Sequence, residues 1–156
     1  MSIGINGARL FGEGDRAVAG VVRRVFRACF GDHKDVDVCV TFVLDLEMRA
    51  LNRRWRNKDS TTDVLSFSAV EGDLVVGDDS LLGDLVISVE TAARQAEEHG
   101  HDVEVEVGVL VCHGLMHLCG LDHERSADET EKQLSVEMHV LSRAALPVDA
   151  ALCGRA

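Results

Sequence analysis

Three histidines stand within eleven residues, in the run His113-Gly-Leu-Met-His117-Leu-Cys-Gly-Leu-Asp-His123. His113 and His117 are four positions apart, about 6 Å of rise along a helix, so both imidazoles leave the same face. That is the spacing at which a helix presents two nitrogens to one metal ion. Gly120 suits the left-handed conformation that ends a helix, and the chain reversal it allows brings His123 toward the same point. Three neutral imidazoles with one open position make a catalytic type of zinc site, whereas structural sites fill all four positions with protein ligands. A single His on an apolar helix is ordinarily a packed and satisfied residue. Two at this spacing leave several ring nitrogens to satisfy without a shared partner.

The neighbouring residues narrow the chemistry. Cys112 and Cys119 lie off the histidine face and read as small buried hydrophobes. Asp122 and Glu124 flank His123; either could orient an imidazole, and both equally suit a solvated loop. His33, His99, His101 and His139 lack the spacing and read as surface or packing residues. The same histidine pattern describes the metzincin peptidases, in which a Glu directly after the first His is the general base. Here that position is Gly114, which has no side chain to take a proton. Water on a metal ion can be ionised near neutral pH without a protein base. What remains is to stabilise negative charge, a task that the planar, permanently charged Arg fork performs well for phosphate. Residues 49–58 carry five basic side chains (Arg49, Arg53, Arg54, Arg56 and Lys58) and no acidic one. Such a run can be a plain solvated helix face. Trp55, the only tryptophan, either stacks on a base or anchors the segment to the core.

These groups need elements to position them. Apolar residues at 18, 21, 22, 25, 26 and 29 predict an amphipathic helix over Asp15–Phe30. Val36, Val38, Val40 and Phe42 alternate with polar or small residues and predict a strand with one buried face. Residues 45–54 read as a helix with Leu46, Ala50 and Leu51 on one side. Residues 64–67 and 82–89 read as strands, joined by a Gly- and acid-rich connection over 71–80. A helix over Glu90–His99 is stopped by Gly100, and a second, Val103–Cys119, is apolar round most of its circumference and should be buried. Ser126 and Glu129 form a capping box opening a last helix that ends before Pro147. Strands and helices mix without strict alternation, as in a single α+β layer domain.

With 156 residues, 46% of them apolar, the chain suits one folded domain and not a disordered one. The longest apolar-rich run, Glu106 to Asp122, is too short for a bilayer span, and no signal-peptide pattern opens the chain. Five cysteines without a C-x-x-C pair suit reduced thiols in a cytosolic protein. Sixteen basic against 27 acidic residues give a net charge of −11, which excludes broad, nonspecific coating of nucleic acid.

The histidine run is similar to the H-G-x-L-H-L-x-G-Y-D-H signature of the YbeY family, bacterial endoribonucleases of ribosomal RNA maturation. Leu51-Asn52 through Arg56, Lys58-Asp59 and Thr62-Asp63-Val64-Leu65-Ser66-Phe67 resembles that family's L-N-x-x-Y/W-R-x-K-D-x-x-T-D-V-L-S-F block, and Leu82–Ser88 its L-G-D-I-x-I-S strand. Met116 replaces the usual Leu, Leu121 the usual aromatic, and Thr61 and Ser68 stand where the family usually has Pro. The resemblance implies a zincin-like α+β fold, a small mixed sheet packed by helices, in one metal-dependent hydrolase domain over 1–156. It implies one Zn2+ per chain on His113, His117 and His123, with Arg56 as the catalytic arginine. Arg53, Trp55 and Lys58 are the candidate RNA contacts. The expected activity is single-strand-specific RNA cleavage in small-subunit rRNA 3′ end processing and ribosome quality control. The expected partners are rRNA and the ribosome or its proteins, in the cytoplasm, with no membrane and no DNA. Two other readings are a ribosome-assembly factor with a mainly structural zinc, and a zinc peptidase, which Gly114 disfavours.

Overall fold

The computed structural model describes residues 2–31, 36–68, 81–119 and 127–146. The chain opens with strand β1 (Ser2–Asn6) and a short 3-10 segment (Ala8–Gly14). It continues through α1 (Asp15–Phe30), β2 (Val36–Val43), α2 (Asp45–Arg56), β3 (Val64–Ser68) and β4 (Leu81–Ser88). Helices α3 (Val89–His99), α4 (Val103–Leu118) and α5 (Ala127–Arg143) complete it. The four strands form one mixed sheet in the order β1-β2-β4-β3. β1, β2 and β4 are parallel, and β3 runs antiparallel along the edge of β4, with Leu65 opposite Val86. This is the α+β architecture that the sequence pattern predicts, with the small mixed sheet that the family resemblance implies.

Local chemistry explains the elements. The α1 positions 18, 21, 22, 25 and 26 are all buried, and Gly31 ends the helix at φ 58° with its N–H donating to Arg27 O at 2.8 Å. β2 buries the alternating residues Val36, Val38, Val40 and Phe42. α3 begins directly after β4, where Ser88 Oγ accepts from the Thr91 N–H, and stops at Gly100, φ 69°. In α4 every residue from Val105 to Met116 is buried. The chain places this helix in the middle of the core, between α1, α5 and the sheet.

Three expectations change. The N-terminal strand β1 is not among the predicted elements, although Ile3 and Ile5 alternate. Its five residues are stabilised by parallel pairing with β2, a partnership no local pattern announces. In α2 the buried side carries Met48 and Asn52, while Leu46 is 82% exposed and Ala50 also faces solvent. The predicted Leu46–Ala50–Leu51 side is corrected: only Leu51 of the three packs inward, against the cluster of Val43, Met48 and Leu65. Cys119 is exposed at the end of α4, and only Cys112 is the buried hydrophobe expected of both. The Gly120 stop, the 71–80 connection and Ser126 of the capping box lie outside the described residues.

Candidate active site

Helix α4 carries His113 and His117, one turn apart, on the side toward α5. Their Nε2 atoms approach to 2.9 Å, with the rings edge to face at 4.5 Å between centroids. His113 is 5% exposed and His117 half-buried. Behind His113 stands Glu137 of α5, whose Oε1 lies 3.0 Å from Nδ1. Gln133, one turn earlier on α5, donates from Nε2 to the same carboxylate oxygen at 3.1 Å. Gln133 and Glu137 are 1% and 2% exposed. Gln133 Nε2 also lies 3.1 Å from His113 Nδ1, so both α5 side chains hold that nitrogen while Nε2 faces His117. Two imidazole nitrogens so close share either a proton or a cation.

Position 114 is closed. A Cβ on Gly114 would stand 2.8 Å from Leu85 Cδ2 and 3.3 Å from Ser66 Oγ, because α4 lies directly on β3 and β4. Ser66 Oγ also donates to the Gly114 carbonyl at 3.4 Å. The sheet therefore occupies the space in which a general-base side chain at this position would begin.

The other face of β3 leads to the basic segment. Phe67, next to Ser66 and so pointing to the opposite face, meets Trp55 edge to face at 6.0 Å. Trp55 is 57% exposed, with the Arg54 guanidinium 5.2 Å over its ring. Arg53, Arg54 and Arg56 occupy the last turn of α2, where cations complement the helix dipole, and all are exposed. Asn57 ends the helix at φ 57°. The following turn is tied down on both sides: buried Asn52 donates from Nδ2 to Ser60 O at 2.8 Å, and Arg49 grips Asp59 through two bonds of 2.9 and 3.1 Å. Lys58 sits on this braced turn.

The base of α2 is fixed by Asp45. Its carboxylate accepts from Ser88 Oγ, from Thr91 Oγ1 at 2.7 Å and from Thr61 Oγ1 at 3.2 Å, and pairs with Arg94 at 2.9 Å. Burial pushes this carboxyl upward, but the hydrogen bonds from Ser88, Thr91 and Arg94 and the Arg94 charge outweigh it and bring the pKa to about 2.

A family model, endoribonuclease YbeY, matches residues 14–144. The chain belongs to the YbeY endoribonuclease family. Endoribonuclease YbeY of Macrococcus caseolyticus is 46% identical over 102 residues, 64% of this chain and 66% of that protein. The protein of that name from Aquifex aeolicus is 46% identical over 109 residues, 70% of this chain and 71% of its own length. The chain thus spans about two-thirds of the length of these relatives. The solution structure of TM1509 from Thermotoga maritima superposes with a TM-score of 0.59 at 28% identity, covering 90% of both chains.

Within this YbeY-family fold the sequence-predicted residues fall into two groups. His113 and His117 converge, while His123, Asp122 and Glu124 lie outside the described residues. Among the described residues no three His, Cys, Asp or Glu side chains form a ligand set. Arg53, Trp55, Arg56 and Lys58 cluster on the exposed end of α2 and its turn, as a solvated face also would. Sequence reasoning missed Glu137 and Gln133. Their signal was their place in the α5 pattern, at positions 133 and 137 on the same stripe as the buried Val140, Leu141 and Ala144. Two polar side chains on the apolar stripe of a helix need a buried partner.

Proposed function

We propose that this chain is a zinc-dependent, single-strand-specific endoribonuclease of ribosomal RNA maturation, acting in small-subunit rRNA 3′ end processing and ribosome quality control. One zinc would be held by His113, His117 and His123 in a zincin-like domain spanning 1–156, with the protein working in the cytoplasm on ribosomal substrates. The observation that carries the reading is the pair of Nε2 atoms 2.9 Å apart with a buried carboxylate on the far nitrogen of one ring. That donor set fits a divalent ion: Glu137 holds the His113 ring in place from behind, as carboxylates behind metal-bound imidazoles do. When bound, the ion supplies Lewis-acid polarisation of a phosphodiester.

The chain's own residues do the rest. Arg56 pairs with a non-bridging phosphate oxygen and offsets the charge that develops there. Arg53 and Lys58 steer the strand, and the braced turn after α2 keeps Lys58 from wandering. Trp55, half-open and backed by Phe67, offers a face on which a base stacks. Closure of position 114 by Leu85 and Ser66 removes the peptidase base, which favours a substrate whose cleavage depends on charge stabilisation. Either water or an RNA 2′-hydroxyl serves as nucleophile; a 2′,3′-cyclic phosphate product would exclude direct attack by water.

The test is elemental analysis of the purified protein beside RNA cleavage by wild type, His117→Ala and Arg56→Ala. One zinc per chain, with cleavage lost in His117→Ala and reduced in a zinc-loaded Arg56→Ala, is the expected result. A protein that neither carries nor takes up a divalent ion, or a His117→Ala chain that cleaves as wild type, overturns it.

A further inference from the structure

Helix α1 bears an arginine stripe that the reading above does not use. Arg16, Arg23, Arg24 and Arg27 recur at helical spacing on its solvent face, and all four are exposed. In a chain of 27 acidic residues, none of these guanidinium groups is in an ion pair among the described residues. Arg23, Arg24 and Arg27 line a groove of about 460 Å3, bordered on the far side by Glu104 of α4. Gly20 lies in its floor. A glycine inside a helix is unfavourable, and it usually answers a positive φ or a close approach. Gly20 has neither: a Cβ there would meet nothing within 4 Å, and its φ is not positive. Its missing side chain leaves the groove lined by Arg23, Arg24 and Arg27 open at this point. By contrast Gly108, on the buried side of the same helix pair, is tightly packed against Leu146 and Val21.

We propose that this face of α1 is a second contact for the phosphate backbone of RNA, separate from the histidine pair. Glu104, at the groove, and His113 are nine residues apart on α4, about 13 Å of helical rise, so one strand must extend well beyond the cleaved bond to reach both. Exposed guanidinium groups at successive turns, unpaired among the described residues, suit phosphates spaced along a strand, and the open floor lets the backbone sink between them. An enzyme with net charge −11 repels RNA at long range, so a concentrated basic stripe gives it a grip that its average charge denies. This rests on the endoribonuclease reading for its substrate.

The experiment compares a long unstructured RNA with an oligoribonucleotide just long enough to cover the histidine pair. It uses zinc-loaded wild type, the triple variant Arg23→Gln/Arg24→Gln/Arg27→Gln, and Gly20→Gln, each checked for an unchanged far-UV spectrum. In wild type the long RNA binds more tightly and with the steeper salt dependence. In the triple variant that advantage shrinks roughly tenfold, and the slope of log K against log salt falls by about 2, the loss of three single-strand phosphate contacts. Gly20→Gln, which keeps every charge but fills the groove, weakens long-RNA binding several-fold. A triple variant with the wild-type advantage and slope overturns the proposal, as does a Gly20→Gln protein with wild-type affinity for long RNA. Binding of polyglutamate in preference to RNA, lost in the triple variant, would assign the face to an acidic protein and overturn it as well. The two readings fail separately. Salt-sensitive long-RNA binding without cleavage of either RNA sinks the nuclease and leaves the contact standing.

Discussion

His113 is gripped at both ring nitrogens: Nδ1 meets Glu137, and Nε2 meets His117. Its orientation is therefore set by α5 and not by α4 alone. Glu137→Gln keeps the shape but weakens the acceptor, and it should lower metal affinity about 10- to 100-fold, measured by competition with a chromogenic chelator. Equal affinity in the variant would show that Glu137 only fills space. Trp55 makes a different kind of prediction, because it is mostly exposed while it packs edge to face with Phe67 and under the Arg54 guanidinium. Trp55→Ala should cost about 1–3 kcal/mol of single-strand RNA binding. Trp55→Phe should restore most of it, read from fluorescence anisotropy of a labelled oligonucleotide.

Helix α4 reaches the sheet because Gly114 has no side chain, and an added Cβ would press closest on Leu85, at 2.8 Å, and next on Ser66, at 3.3 Å. Gly114→Ala should destabilise the fold by about 1–3 kcal/mol through overpacking, measured by urea unfolding. A neutral result would mean that α4 and the sheet have slack between them. Helix α2 depends on Asn52, which is buried and bonded to the Ser60 carbonyl. That bond gives the Asn in the L-N motif a structural reason: it braces the turn that carries Lys58. Its place on the buried side, with Met48 and in preference to Leu46 and Ala50, was not legible in the sequence. Hydrophobicity alone favours Leu and Ala over Asn for burial. The backbone carbonyl that makes Asn52 welcome comes from a loop eight residues away.

Across the whole molecule, Asp45 joins α2, the end of β4, α3 and the turn at Thr61. Its folded pKa, about 2, lies below the ordinary carboxylate value, so its contribution is complete above about pH 4 and is lost as pH falls toward 2. Asp45→Asn should lower the melting temperature at neutral pH and flatten acid unfolding between pH 4 and 2, followed by circular dichroism. An unchanged acid limb would move that dependence to other carboxylates. The sequence by itself determined the elements whose stabilising pattern is local: α1 from its spaced valines, β2 from alternation, α3 from its closing glycine. It also determined the His113–His117 pair, since one helical turn brings two rings together whatever else the chain does. Only the tertiary structure decided the rest. β1 exists because β2 offers it a parallel edge, the outward turn of Leu46 follows from which side of α2 meets the sheet, and Glu137 reaches His113 from 24 residues away. In each case the deciding partner is distant in sequence, so its hydrogen bonds and packing come into being only when the chain has folded.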